Sequence, residues 1–232
     1  MAPRSPPQAA HAVVVYSDIG CPWAHIAVHR LHRERLRLGL DREVIVDHRA
    51  FPLELVNDRP TPKGLLDVEI EVCARLEPDA GWDQDPPAWT YPVSTLPALE
   101  AVQAAKAQDA ALSEALDRAL RRAFFAQWRC LSVFSEVLDV AQTVDGVDVD
   151  ALWDEIRSGR PRTDVFQQWD VVSSDRIAGS PTVVLWDGSS HHNPGIDIHW
   201  VDGPGSELVV ERDDPAVMVD LVERAAALSP SD

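Results

Sequence analysis

The sequence predicts an α/β fold in which a βαβ unit near its start and a ββα unit near its end enclose a large helical insertion. Two apolar runs of strand length stand far apart in the chain, at residues 13–16 and 183–186. Between them, leucine and phenylalanine recur every four residues, which predicts helices with one apolar face. The apolar fraction of 45% over 232 residues is that of a globular protein long enough to bury a core.

The βαβ unit comes first. Residues 13–16 are continuously apolar, which predicts a strand that is buried on both faces of a sheet. A helix is predicted from Pro22, a residue type suited to the first helical turn, to a stop at Gly39. Residues 44–49 are predicted to form the second strand. Cys21 therefore stands at the junction between the first strand and its helix.

Helices are predicted in the middle of the chain. Pro60 and Pro62 interrupt the preceding pattern, and a loop rich in proline and tryptophan is predicted over residues 77–92. We expect the helices beyond it to cover the face that carries Cys21, because their apolar stripes need a partner surface. Their starts are predicted at capping residues, namely Ser94 or Thr95, Ser132, Asp148 or Asp150, and Thr163.

The end of the chain returns to strands. Residues 183–186 are predicted to form a strand, residues 187–205 a polar loop and residues 208–210 another strand. Asp214 and Pro215 then open a final helix.

These elements divide the chain into three parts. Residues 1–11 are predicted to be a flexible leader. Residues 12–59 and 174–228 are predicted to form the α/β domain, and residues 60–173 the helical insertion.

Composition excludes several classes of partner. The net charge of −17 argues against nucleic acid or an anionic membrane as a partner. No apolar stretch has the length of a membrane span, and the first residues lack the apolar segment of a secretory signal. Three cysteines in a long chain do not suit a secreted disulfide framework, so we expect a cytoplasmic location. No metal is expected, because His191, His192 and His199 lack partners at ligand spacing.

The most informative segment is Asp-Ile-Gly-Cys-Pro-Trp-Ala-His at residues 18–25. A cysteine at this junction can act as a nucleophile or form a mixed disulfide. Ala24 stands where a second cysteine would complete a dithiol motif. A single thiol at Cys21 cannot store two electrons in an internal disulfide, so this alanine decides which redox chemistry remains open.

Four groups of residues, in order along the chain, resemble the DsbA-like thioredoxin family. They are Ser17-Asp18 with Cys21-Pro22-Trp23, Arg49-Ala50-Phe51-Pro52-Leu53, Arg122-Ala123-Phe124-Phe125, and Gly179-Ser180-Pro181-Thr182. The resemblance covers roughly residues 12–228. It is closest to the cytoplasmic branch with FrnE-like oxidoreductases, 2-hydroxychromene-2-carboxylate isomerases and kappa-class glutathione transferases. It implies a thioredoxin fold (βαβ…ββα) with a large helical insertion.

The resemblance also implies roles for matched residues. Cys21 is the expected catalytic nucleophile, and the unpaired amides and dipole of its helix are expected to lower its pKa. Pro181 matches the family's cis-proline, which lies beside the active cysteine, and Ser180 before it is expected to tune redox behaviour. The candidate substrate-binding residues are Pro22, Trp23, Ser180 and Thr182.

Other candidates follow from the missing second cysteine. Cys130, just beyond a matched segment of the insertion, is the candidate resolving cysteine, with a small buried residue as its alternative. Cys73 is interpreted as a small buried residue. His25 lies one helical turn beyond Cys21, so it is a candidate catalytic acid–base partner or else an ordinary polar helix residue.

Three functions remain open. The first is a thiol–disulfide oxidoreductase that uses Cys21 alone and a low-molecular-weight thiol as co-substrate, with no tightly bound cofactor. The second is an isomerase or transferase that depends on a glutathione-type thiol. The third is a non-redox binding module in which Cys21 is a relic. The expected partner is a small-molecule thiol or a thiol/disulfide substrate, and a homodimer stays open beside a monomer.

Overall fold

The computed structural model describes residues 12–83 and 90–227. The predicted leader at residues 1–11 lies outside the described residues, and so does part of the loop predicted over residues 77–92.

Strands occupy both ends of the described chain, and helices fill its middle. The strands are β1 (Ala12–Ser17), β2 (Ile45–Ala50), β3 (Thr182–Val184), β4 (Ser190–His192), β5 (Ile196–Trp200) and β6 (Leu208–Asp213). The helices are α1 (Pro22–Leu38), α2 (Leu53–Val56), α3 (Lys63–Leu76), α4 (Leu96–Ala105), α5 (Ala110–Gln127), α6 (Phe134–Ala141), α7 (Val149–Arg157), α8 (Arg160–Val171) and α9 (Ala216–Ala227).

The main sheet has the strand order β2-β1-β3-β4. β1 pairs in parallel with β2 and antiparallel with β3, and β3 pairs antiparallel with β4. Val13 and Val15 of β1 pack in a cluster with α1 and α9, whereas Val14 and Tyr16 pack in a cluster on the opposite face. Because successive strand residues point to opposite faces, a continuously apolar β1 needs cover on both sides, as predicted.

The helices of the insertion share one core with the sheet. Apolar residues of α3 to α8 form a single buried cluster that also includes Ile19 and Ala50. α5 contributes the buried residues Leu116, Leu120 and Phe124, which recur every four residues in the sequence as predicted. The helix α3, which the sequence analysis did not separate from the loops around it, contributes Leu66 and Ile70.

Two predicted helix starts are wrong. Ser132 does not cap α6, because its hydroxyl instead donates to the carbonyl of Ser94 at 2.9 Å. α8 begins at Arg160 after Gly159, whose φ of 77° lies in the left-handed region that favours glycine, and not at Thr163. Asp148 does cap α7, and its side chain accepts a hydrogen bond from the amide of Ala151 at 3.0 Å.

The predicted polar loop at residues 187–205 is also wrong. It contains β4 and β5, and β5 pairs with β6 in a separate two-stranded sheet. Apolar residues at positions 196, 198 and 200 alternate with polar ones, which is the period of a half-buried strand. The strand predicted at residues 208–210 therefore belongs to this β5–β6 hairpin, and β4 is the partner of β3.

No helix within the described ranges combines the length and apolar character needed to cross a bilayer.

Candidate active site

Cys21 ends the β1–α1 connection and is the N-cap residue of α1. Its side chain is buried, with 4% exposed. The thiol donates a hydrogen bond to the backbone carbonyl of Ser180, with 3.2 Å from Sγ to the oxygen. The Ser180–Pro181 peptide bond is cis, the isomer that the resemblance implied. Residues 159 positions apart thus meet at one end of the main sheet, where β1 and β3 are neighbours.

The pKa of Cys21 differs from the expectation. Burial raises it to about 12, and the nearby carboxylate of Glu69 adds to the rise. Hydrogen bonds to Ser180 and to the backbone of Ala24 oppose the rise but are outweighed. The prediction of a lowered pKa is therefore wrong for this closed geometry, because loss of water and a neighbouring carboxylate disfavour the thiolate more than the helix end favours it.

Glu69 of α3 belongs to the surroundings of Cys21, although the sequence analysis missed it. Its carboxylate accepts a hydrogen bond from the indole of Trp23 at 3.1 Å. Burial raises the pKa of Glu69 to about 7. Its sequence signal is a glutamate between Leu66, Ile70 and Cys73, on the helix face that is buried. A charged residue in that position marks a functional candidate.

Asp18 organises the backbone beside Cys21. It is buried, and its carboxylate accepts hydrogen bonds from the amides of Gly20 at 2.8 Å and Leu53 at 2.9 Å and from the hydroxyl of Thr95 at 3.0 Å. Burial raises its pKa despite these bonds. Its own amide donates to the hydroxyl of Ser180 at 3.0 Å. Asp18 therefore joins the β1–α1 connection to the insertion and to the segment that holds the cis bond.

Arg121 of α5 makes a second connection between the insertion and this end of the sheet. The side chain is 1% exposed and pairs with Asp117, with 2.7 Å from Nε to Oδ1. It also donates to the carbonyl of Asp18 at 2.8 Å and to the hydroxyl of Ser17 at 2.7 Å. The backbone that leads to Cys21 is thus held by a buried ion pair.

The described contacts of the His25 ring are with the insertion, so its role as an acid–base partner of Cys21 stays a prediction. Its ring Nε2 lies 3.0 Å from the carbonyl of Ala80, and the ring stacks on Phe125 at a centroid distance of 4.7 Å. Burial lowers its pKa to about 3, so the ring stays neutral at physiological pH. Its described hydrogen bond to Cys21 joins backbone atoms only. These contacts favour the alternative interpretation, a packed polar helix residue.

Of the other two cysteines, Cys73 is buried as predicted, and it lies nearer to Cys21 in the packing than the sequence suggested. Cys73 lies in the buried cluster that contains Cys21, Trp23 and Ala24, and burial raises its pKa well above the usual value. Cys130 is half-buried in the connection between α5 and α6 and does not belong to that cluster. The structure thus places Cys73 among the neighbours of Cys21, and the resolving role of Cys130 stays a prediction.

The remaining candidates have structural contacts. Pro22 is the first residue of α1, and Trp23 is buried with its indole on Glu69. Thr182 is fully buried and donates to the carbonyl of Gly179 at 2.7 Å. Thr182 is therefore not open to a substrate in this geometry, because its hydroxyl already closes the turn before β3.

Cys21 is packed among apolar side chains. Ile196 and Leu208 of the β5–β6 hairpin belong to its cluster. A small cavity of about 30 Å³ lies beside the neighbouring residues Asp18 and Gly20, next to Thr95 and Phe124. This volume has room for a water molecule or two but not for a thiol substrate. Within the described ranges, no group of three or more His, Cys, Asp or Glu side chains could hold a metal ion.

Comparison with known proteins agrees with the thioredoxin-type fold described above. Residues 12–203 match the family model described as a DSBA-like thioredoxin domain. No protein of curated function matches the chain at a significant level.

Solved structures share the fold at low sequence identity. A probable DsbA oxidoreductase from Streptomyces coelicolor is 16% identical, with a TM-score of 0.66 over 95% of this chain and 92% of that one. The cytosolic disulfide reductase DsbM from Pseudomonas aeruginosa, solved with GSH, is 16% identical, with a TM-score of 0.62 over 94% and 100%. A 2-hydroxychromene-2-carboxylate isomerase is 18% identical, with a TM-score of 0.57 over 78% and 87%.

Proposed function

The chain belongs to the DsbA-like thioredoxin family, and from this membership we propose that it is a thiol–disulfide oxidoreductase with a single reactive thiol, Cys21. The observation that supports this most is the position of the sulfur, which lies at the start of α1 and bonds to the carbonyl before a cis-proline. Ala24 leaves no dithiol in the motif. The co-substrate is accordingly a small external thiol.

The proposed reaction has two exchange steps. The Cys21 thiolate attacks one sulfur of a disulfide R–S–S–R′, so that Cys21–S–S–R forms and R′S⁻ leaves. The proton that Cys21 loses is balanced by the proton that R′S⁻ takes up. A second small thiol then attacks the sulfur of the bound R group. It forms a new disulfide with R and returns Cys21 to its thiol form.

For Cys21 to react as a thiolate near neutral pH, substrate binding has to change the surroundings of its sulfur. In the closed site the thiol carries its proton at neutral pH, because burial and Glu69 raise its pKa. Glu69 itself has a pKa of about 7, so it exchanges protons in the range where the enzyme would work. A protonated Glu69 removes one charge that opposes the thiolate. Glu69 is therefore proposed as a residue that sets the acidity of Cys21.

Two alternative functions are each supported by one observation. The fold shared with an isomerase is compatible with a thiol-dependent isomerase or transferase. The raised pKa of Cys21 favours a non-redox binding module. Mass spectrometry of protein purified without reductant distinguishes the exchange mechanism from the binding module. A small-thiol adduct on Cys21 supports the exchange mechanism, and an unmodified thiol that also resists small disulfides supports the binding module.

Glu69→Gln should make Cys21 more reactive toward iodoacetamide at pH 7–9. The substitution keeps a hydrogen-bond acceptor for Trp23 but removes a charge that opposes the thiolate. At a pH below the pKa of Cys21, lowering this pKa by one unit raises the thiolate fraction about tenfold. The measurement is the alkylation rate against pH. Glu71→Gln, on an exposed glutamate of the same helix, is the control and should leave the rate unchanged.

Cys73→Ala and Cys130→Ala should each retain most of the exchange activity. An external thiol resolves the mixed disulfide in the proposed mechanism, so neither cysteine is needed. The measurement is the steady-state reduction of hydroxyethyl disulfide. A loss of activity in Cys73→Ala alone, in protein that remains folded, would show that the neighbour of Cys21 resolves it internally and would overturn the single-thiol mechanism.

A further inference from the structure

A second and larger cavity lies one to two turns along α1 from Cys21. Its volume is about 700 Å³, within the range of about 300–1,000 Å³ that is usual for small-molecule sites. α1, α5 and the residues around α6 line it, and Cys21, Ser180 and Pro181 are not among its lining residues. An inference about this cavity therefore does not rest on the proposed function.

Two arginines of α5 give this cavity an unbalanced positive charge. Arg118 and Arg122 both line it and stand one helical turn apart, on the same face of the helix. Both side chains are exposed, and among the described residues neither guanidinium forms a hydrogen bond or a close ion pair, although Glu114 attracts Arg118 from a longer distance. Two further lining arginines are neutralised, since Arg121 pairs with Asp117 and Arg129 pairs with Glu136. The chain as a whole carries a net charge of −17, so a positive cavity is unusual for it.

The facing wall adds a polar atom without a partner. The Nε2 atom of His29 on α1 is buried and makes no hydrogen bond within the described residues. Its nearest carboxylate oxygen, on Glu77, lies 3.9 Å away. One carboxylate also lines the cavity, that of the exposed Asp79. The ring of His29 therefore adds a polar group to the lining, while its Nε2 atom is itself buried near Glu77.

The rest of the lining is mainly apolar. It comprises Val28, Ala115, Ala119, Val140 and Val144, together with the neutral ring of His25. These side chains offer a surface for a hydrocarbon or aromatic group. The cavity thus combines two unpaired cationic groups with an apolar wall.

We propose that this cavity binds a small organic dianion with an apolar or aromatic body. Guanidinium groups bind phosphate and carboxylate oxygens through paired hydrogen bonds, and two of them match two negative charges. The anionic head would contact Arg118 and Arg122, with His29 beside it, and the body would lie against the apolar wall.

Isothermal titration calorimetry of the whole chain with phenyl phosphate at low ionic strength tests this assignment. We expect saturable binding to one site, at least about tenfold tighter than the binding of inorganic phosphate, which lacks an apolar body. Phenyl phosphate should bind Cys21→Ser as tightly as the natural chain, because the sulfur does not line the cavity. Added salt should weaken the binding.

Matched variants locate the site. Arg118→Gln with Arg122→Gln should weaken phenyl phosphate binding at least about tenfold, because each removes a charge-assisted hydrogen bond. Arg157→Gln, on an exposed arginine of α7 outside the cavity, makes the same change of charge as Arg122→Gln alone and should bind normally. If the double variant does not fold, Arg122→Gln alone serves, since its side chain is exposed.

Three results would overturn the assignment. One is the absence of phenyl phosphate binding at millimolar concentration. Another is an equal affinity of the natural chain and the folded arginine variants. The third is an equal loss of affinity in Arg157→Gln, which would indicate attraction to the overall charge and not to this cavity.

Discussion

Replacement of Cys21 by serine should abolish thiol–disulfide exchange and reduce the rate to that of the uncatalysed reaction. A hydroxyl can keep the hydrogen bond to the Ser180 carbonyl, but it cannot form a disulfide, and its oxygen is far less nucleophilic than a thiolate. Since serine is close to cysteine in shape, the fold should persist. The measurement is the reduction of hydroxyethyl disulfide by a small thiol, together with the mass of the recovered protein.

Control measurements make this result specific. The serine variant should lose the mixed-disulfide adduct at residue 21, and its melting temperature should stay near that of the natural chain. Cys130→Ala serves as the matched control, because it removes a half-buried thiol outside the cluster of Cys21. Substantial residual exchange in folded Cys21→Ser would place the reactive thiol elsewhere and would rule out the proposed mechanism.

Arg121→Met should lower the free energy of unfolding by about 3–5 kcal/mol, the cost of leaving one partner of a buried ion pair unpaired. Methionine fills much of the space but pairs with nothing, so Asp117 stays buried at 2% exposure without its main counter-ion. The carbonyl of Asp18 and the hydroxyl of Ser17 lose a donor as well. Urea unfolding with linear extrapolation measures the loss.

Two further variants separate the ion pair from the loss of a side chain. Arg122→Met changes the next residue of α5, which is exposed, and should shift stability by no more than about 0.5 kcal/mol. Adding Asp117→Leu to Arg121→Met should recover part of the loss, because no buried charge then remains without a partner. A loss below about 1 kcal/mol in Arg121→Met would mean that water reaches Asp117, contrary to the burial seen here.

Local patterns in the sequence predicted the first βαβ unit and the place of Cys21. The apolar run of β1 and the proline at the start of α1 are short-range signals, and the structure confirms both elements. β6 was predicted in part, but β5 was missed because its polar residues outweighed a three-residue alternation at positions 196, 198 and 200. Glu69 and the raised pKa of Cys21 were missed because they depend on how α3 packs on α1, which spacing along the chain does not reveal.

The acidity of Cys21 depends on its packed environment as well as on the sequence motif. A cysteine at a helix start predicts an acidic thiol when water and amides surround it. Here the packing of Trp23, Ile196 and Leu208 removes the water, and Glu69 adds a charge of the wrong sign. His25 shows the same effect, because the ring lies among Phe125 and Trp82 and not beside the sulfur.

The β5–β6 hairpin has the geometry of a modular insertion. Its two ends meet, since the amide of Asp214 donates to the carbonyl of Gly195 at 2.8 Å. The entropic cost of closing a loop grows only slowly with the length of the loop. The hairpin can therefore be lengthened, shortened or exchanged in evolution without disturbing β4 or α9. Because the hairpin is also one wall of the Cys21 site, such exchanges would diversify substrate choice between relatives while the reactive cysteine stays in place.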